Sequence, residues 1–174
     1  RKSALKMGAK VYGPTAIGPE CKVGGEVSNV MILGYSNKAH DGFLGNAVVG
    51  EWCNFGAGTS NSNVKNTAET VTLWHKATQS WKPVGQKCGL IMGDYTRTAI
   101  NSSINTGSMI GVSSNLFGAG LLPRVIPDFT WGDGSERYRL DKAIEAIGNW
   151  KKMKGQSISP AEIAVLQHIF EQQA

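Results

Sequence analysis

Large apolar side chains recur at every sixth position along this chain, and that spacing predicts its architecture. One phase runs through Val11, Ile17, Val23, Asn29 and Tyr35. After a slip of two residues it resumes as Phe43, Val49 and Phe55, and a third run takes in Met92, Thr98, Ile104, Ile110 and Leu116. Eleven of these 13 positions are bulky and apolar or aromatic, Asn29 and Thr98 being the exceptions. Four residues after each stands a partner that is small or β-branched in every hexad except the one with Leu33, as with Thr15, Cys21, Cys53 and Thr96. Glycine often follows the large residue directly, as in Ile17-Gly18, Val23-Gly24, Val49-Gly50 and Ile110-Gly111. A sandwich of short strands would alternate at period two. A period of six fits a parallel β-helix, in which large side chains fill a narrow interior, small ones sit near the corners, and glycine permits the turns.

The rhythm lapses between Asn61 and Lys87. Val71-Thr72-Leu73-Trp74 alternates as a strand does and Trp81-Lys82-Pro83 reads as a turn. Residues 61–87 are therefore expected to project from one corner as a loop, closing over a ligand or capping the coil. Beyond Ser135 the spacing becomes helical. Leu140, Ala143, Ile144, Ile147 and Trp150 form one stripe, and Gly155 interrupts it. Ser159-Pro160-Ala161-Glu162 then supplies a capping box with Pro at the first helical position, followed by a face of Ile163, Leu166, Ile169 and Phe170. The expected fold is mainly β, with a β-helix domain over residues 1–134 and a helical extension over 135–174. The two helices are expected to cover an open end of the coil or a neighbouring subunit.

Composition divides at the same place. Of 22 glycines, 20 precede Ser135, whereas the 31 charged residues split as 20 in residues 1–134 and 11 in the last 40. The net charge of +5 is not spread over the body, because residues 11–134 carry 8 basic and 8 acidic groups. The excess lies with Arg1, Lys2, Lys6 and Lys10 and with a short cluster at Lys151, Lys152 and Lys154, so nucleic-acid binding is not expected. No apolar run approaches the ~18 residues of a membrane span, and no signal peptide is evident. Cys21 and Cys53 fall at small corner positions, and Cys88 does too if Val84 begins a hexad. Their spacing matches no zinc motif, so no metal is implied and a reducing, cytoplasmic compartment fits. A chain beginning at Arg1 reads as part of a longer protein.

Of the three histidines, His75 falls in the projecting loop and His168 on the last helix. His40 falls where the six-residue phase slips, an irregularity that can turn a side chain outward. Around it run Lys38-Ala39-His40-Asp41-Gly42-Phe43-Leu44-Gly45-Asn46, Val49-Gly50-Glu51, Asn54-Phe55-Gly56-Ala57-Gly58-Thr59 and Asn63. With Gly89 to Asn101 and Asn105-Thr106-Gly107, these segments resemble one known domain, the C-terminal hexapeptide-repeat domain of the bifunctional sugar-1-phosphate nucleotidylyltransferase/acetyltransferases. N-acetylglucosamine-1-phosphate uridylyltransferase/glucosamine-1-phosphate N-acetyltransferase enzymes are the best-known members. The likeness runs from about Gly24 to Gly111, and its most specific part is the His to Gly-Ala-Gly-Thr segment.

The resemblance implies a left-handed coil, a homotrimer with sites between subunits, and a nucleotidylyltransferase domain ahead of Arg1. It also implies acetyl transfer from acetyl-CoA to an amino-sugar 1-phosphate. His40 matches the family's general base, with Asp41 as an orienting neighbour. The chemistry suits it: an amino sugar is largely ammonium near neutrality and must lose a proton before it attacks a thioester. Asn54 and Asn63 match asparagines that contact sugar or acyl donor, and Lys38 and Lys65 are the nearest basic candidates for the phosphate. Phe43 stands where the family has Tyr and can stack but not hydrogen-bond. On the later hexads, Ser108, Ser114 and Arg124 are the candidate acetyl-CoA contacts. The same departures open a second reading, a non-catalytic domain that trimerises and positions the nucleotidylyltransferase.

Overall fold

A computed structural model describes residues 1–173. Short parallel strands stack in register into three faces, and the chain winds through them as a solenoid of about 8 turns. On the first face the inward row is Leu5, Val23, Lys38, Phe55, Thr98, Leu116 and Gly132. The second carries Ile17, Ile32, Val49, Met92, Ile110 and Ile126. The third carries Val11, Val27 and Leu44, then Asn61 and Ile104. Together they build one continuous apolar core. Leu5 and Val11 keep 59% and 39% of their surface because the first coil has another coil on one side only.

Ten of the 13 large hexad positions point inward as the period predicts. Asn29, Tyr35 and Phe43 do not. The coil from Val23 to Lys38 takes only 15 residues, against 18 from Thr98 to Leu116, so its inward positions fall at Val27 and Ile32. Asn29 and Tyr35 instead turn corners, at φ of 54° and 62°, and Phe43 sits beside the inward Leu44.

The small corner residues form a hydrogen-bonded ladder. Ser36 Oγ donates to the Gly50 carbonyl at 2.7 Å and accepts from the Cys53 amide at 2.9 Å. Cys53 Sγ reaches the Gly93 carbonyl, Thr96 Oγ1 that of Gly111, and Ser114 Oγ that of Pro127. Each rung stitches one coil to the next inside the buried wall. Burial pushes the Cys53 thiol up to about 12 and raises that of Cys21 as well. Cys88 lies outside this ladder, because Val84 belongs to a hairpin rather than a hexad.

That hairpin, Val71–His75 against Ser80–Gly85, is what projects within the 61–87 interval. Asn61 itself stays in the coil, buried, its amide bonded to both the N–H and the carbonyl of Gly45. The helices α1 (Leu140–Lys152) and α2 (Pro160–Glu171) form as expected, and Ser159 and Glu162 make the capping box. Of the two placements expected, an open end is not the one they take within this chain. They run along a corner rather than over an open end, burying Phe129, Tyr138, Ala143, Ile147 and Leu166 in a second core with Tyr95 and Val112. The corner itself is the reason. Tyr35, Trp52, Tyr95 and Phe129 all adopt positive φ there and present an aromatic ridge, with Tyr35 stacked on Trp52 at 4.3 Å. Lys154, just past α1, ties the helix to the early coils through the carbonyls of Glu20 and Tyr35. No helix among the described residues is long and apolar enough to cross a membrane.

Candidate functional site

His40 stands at the corner where the chain leaves the first face for the third. The corner is tight on both sides. A Cβ on Gly25 would lie 2.8 Å from the His40 carbonyl oxygen, and one on Gly42 would lie 2.1 Å from the Thr59 carbonyl. Gly42 also turns the chain at φ 117°, which L residues avoid. The backbone of residues 39–42 is thus clamped between neighbouring coils while the imidazole and the Asp41 carboxylate are exposed. No hydrogen bond among the described residues joins the two side chains, so the orienting contact expected of Asp41 is not made within this chain.

Two grooves flank the histidine. One, of about 450 Å³, is lined by Lys6, Lys22, Asn37 and Asn54 along with Ile100. The other, of about 500 Å³, runs between Met7, Asp41, Gly58 and Asn101. His40 and Asn54 therefore share a groove. Lys22, Asn37 and Asn54 are consecutive outward residues of the first face, in register coil to coil. The first groove has two lysines and no carboxylate, so it is electropositive.

The other sequence candidates lie elsewhere. Phe43 and Asn63 come together on the third face, both over Gly45, with Asn63 Nδ2 donating to Asn46 Oδ1 at 2.8 Å. Lys65 pairs with Glu69 at 3.7 Å near the base of the hairpin. Lys38 is turned into the solenoid and is 2% exposed, so its amino group meets backbone carbonyls rather than the groove. Ser108 and Ser114 are fully buried, with their hydroxyls donated to the carbonyls of Asn105 and Pro127. Arg124 anchors the hairpin: Nε bonds the Thr106 carbonyl, Nη2 the Thr72 carbonyl, and the guanidinium lies 4.1 Å over the Trp81 ring. The two serine hydroxyls are thus spent on coil stacking, and Nε and Nη2 of the half-buried Arg124 on holding the hairpin. Lys6 and Lys22 were missed; the signal that finds them is the register between short coils, which the hexad phase alone does not give.

The repeat, the three-faced solenoid and the small-residue corner define a hexapeptide-repeat β-helix protein. It is similar to the bifunctional sugar-1-phosphate nucleotidylyltransferase/acetyltransferase family. The bifunctional protein GlmU of Methanococcus vannielii is 33% identical over 97 residues, which is 56% of this chain and 23% of that protein. Those of Methanocaldococcus jannaschii and Synechococcus elongatus are 29% and 26% identical over 121 and 122 residues, 68% and 69% of this chain and 28% and 23% of theirs. The chain thus spans about a quarter of the length of the curated relatives it matches, a share consistent with their C-terminal region. No protein-family model matches it.

Proposed function

We propose that this chain catalyses acetyl transfer from acetyl-CoA to the amino group of an amino-sugar 1-phosphate, with His40 as the general base. The observation that carries the reading is the His40 corner: a clamped backbone, an outward imidazole, and an electropositive groove shared with Asn54. His40 accepts the proton of the sugar amine, whose nitrogen forms the C–N bond to the acetyl carbon. The C–S bond then breaks, and the imidazolium returns its proton to the departing CoA thiolate. The Asn54 amide can hydrogen-bond the sugar or the acyl oxygen as charge develops there. Lys22 and Lys6 attract the sugar phosphate.

The acetyl-CoA site is completed by a second copy of the chain in this reading. The outward row of the second face, Ala16, Met31, Val48, Ile91, Met109 and Val125, is apolar throughout, and Met31, Val48 and Val125 are 49%, 41% and 38% exposed. A continuous apolar stripe of this kind is an association surface, and a trimer covers it. The three free thiols are compatible with a cytoplasmic setting.

A second reading is favoured by Ser108, Ser114 and Arg124 being occupied within the chain: the solenoid then trimerises and positions a nucleotidylyltransferase without chemistry of its own. Incubating the protein with acetyl-CoA and a panel of amino-sugar 1-phosphates separates the two. Thiol release with stoichiometric N-acetyl product, weaker for the unphosphorylated sugars, supports the enzyme. A trimer by light scattering that turns over none of them supports the scaffold.

A further inference from the structure

Lys38 occupies an inward position of the first face, in register with Val23, where the other closed coils place Phe55, Thr98 and Leu116. It is among the largest fully buried side chains of the molecule. A lysine there gives up its hydration, so its amino group must find partners inside the coil. It finds two backbone carbonyls: Nζ donates to Gly24 at 3.3 Å and to His40 at 2.5 Å. Among the described residues no backbone N–H donates to either carbonyl. Burial pushes the Lys38 ammonium down, and the neighbouring Asp41 carboxylate opposes this.

The local geometry explains why a donor is needed here. The coil closing at Lys38 takes 15 residues rather than 18, and its corner is pressed onto Gly24 and Gly25 of the coil before it. The His40 carbonyl accepts from the amino group of Lys38, whose side chain is buried inside the coil. The imidazole of the same residue therefore projects outward from a backbone whose inner side is held by one amino group.

We propose that Lys38 is a positioning residue for His40: from inside the solenoid it ties the His40 carbonyl to that of Gly24 and fixes the corner that presents the imidazole to its grooves. This rests on the reading of His40 as the base. The residue does not touch substrate. Its removal should move the rate of the chemical step and the order of the imidazole, and leave sugar binding, which falls to Asn54, Lys22 and Lys6, little changed.

The test uses the whole chain with Lys38→Met, which keeps the stem and removes the donor, and Lys38→Gln, which keeps an N–H donor. Acetyl transfer is followed alongside NMR of the His40 ring in histidine-labelled protein. The expected result for Lys38→Met is a kcat at least tenfold lower, a KM for the amino sugar within twofold, and a His40 signal that broadens or doubles. Lys38→Gln should recover part of the rate and a narrower signal. A Met variant with kcat within twofold and a single sharp His40 signal overturns the proposal. If only the Gln variant folds, a single narrow His40 signal with a largely retained kcat supports the proposal, and a broadened or doubled signal with the donor kept overturns it. If neither folds, Lys38 holds the coil rather than the histidine and the proposal falls. Should His40→Ala leave acetyl transfer intact, the reading of the base fails, while the ring signal still decides whether Lys38 orders the corner.

Discussion

Replacing Ser36 by Ala tests the corner ladder at the coil that leads into His40. Ser36 is fully buried; its hydroxyl is the partner of both the Gly50 carbonyl and the Cys53 amide. Removing it leaves a donor and an acceptor unpaired in a wall that water does not reach. An unpaired buried group costs about 1–3 kcal/mol, so the two together reach about 2–6 kcal/mol before relaxation, and a loss of about 3 kcal/mol is the working expectation. Ser36→Cys should cost about 1 kcal/mol, because a thiol is a weaker donor that still reaches a carbonyl. Cys21 does so at this corner, with Sγ 3.0 Å from the Leu33 carbonyl. Urea unfolding at fixed protein concentration reads both variants, the fixed concentration being needed because association contributes to apparent stability. A Ser36→Ala variant within about 0.5 kcal/mol of wild type, the scatter of ordinary surface substitutions, would refute the ladder as a source of stability.

Four further outcomes follow from other parts of the molecule. Partial burial raises the Glu162 carboxyl, but hydrogen bonds from Lys151, the Ser159 amide and Tyr95 outweigh it and hold the group at about 2, against an ordinary 4.5. Its folded pKa is depressed, so its contribution to stability is present above about 4.5 and lost as the pH falls toward 2. Near-UV circular dichroism should show the helices loosening from the aromatic corner in that window, and Glu162→Gln should flatten the pH dependence there. Gly56→Ala places a Cβ 2.3 Å from the backbone of Ala99 and should destabilise by about 2 kcal/mol or more. In α1 a Cβ on Gly148 meets nothing within 4 Å, so Gly148→Ala should stabilise by up to about 1 kcal/mol, both read by thermal melts. With a disulfide reagent, the native protein should expose Cys88 first and Cys53 only on unfolding, since Cys53 is buried in the ladder and its thiol is pushed up to about 12.

The inward row was legible wherever coils have regular length. Met92, Thr98, Ile104, Ile110 and Leu116 hold one phase because each face advances by the same number of residues. Between Val23 and Lys38 the coil shortens, and Asn29 and Tyr35 kept the phase while moving to corners. Sequence spacing cannot separate an inward aromatic from a corner aromatic, since both recur with the coil. Lys38 was taken for a groove residue because a lysine inside a β-helix breaks the binary pattern that identifies the interior. The helices were recognised from their stripes and capping box, but an amphipathic stripe states only that one face is covered. Which surface covers it depended on Tyr35, Trp52, Tyr95 and Phe129 lining up across coils, a juxtaposition set by register. The same holds for the groove: His40 and Asn54 came from the motif, whereas Lys22 joins them only because it pairs with Asn37 and Asn37 with Asn54.

The account turns on the His40 imidazole as the group that takes the proton, and one comparison tests it most directly. Wild-type protein and His40→Ala are given acetyl-CoA and an amino-sugar 1-phosphate, with CoA thiol and N-acetyl product measured together at matched solenoid content. Loss of a general base predicts a fall in kcat of about 10²–10⁴-fold, with KM for the sugar phosphate little altered because Asn54, Lys22 and Lys6 remain. A variant that forms product at the wild-type rate would remove His40 from the chemistry and contradict the account.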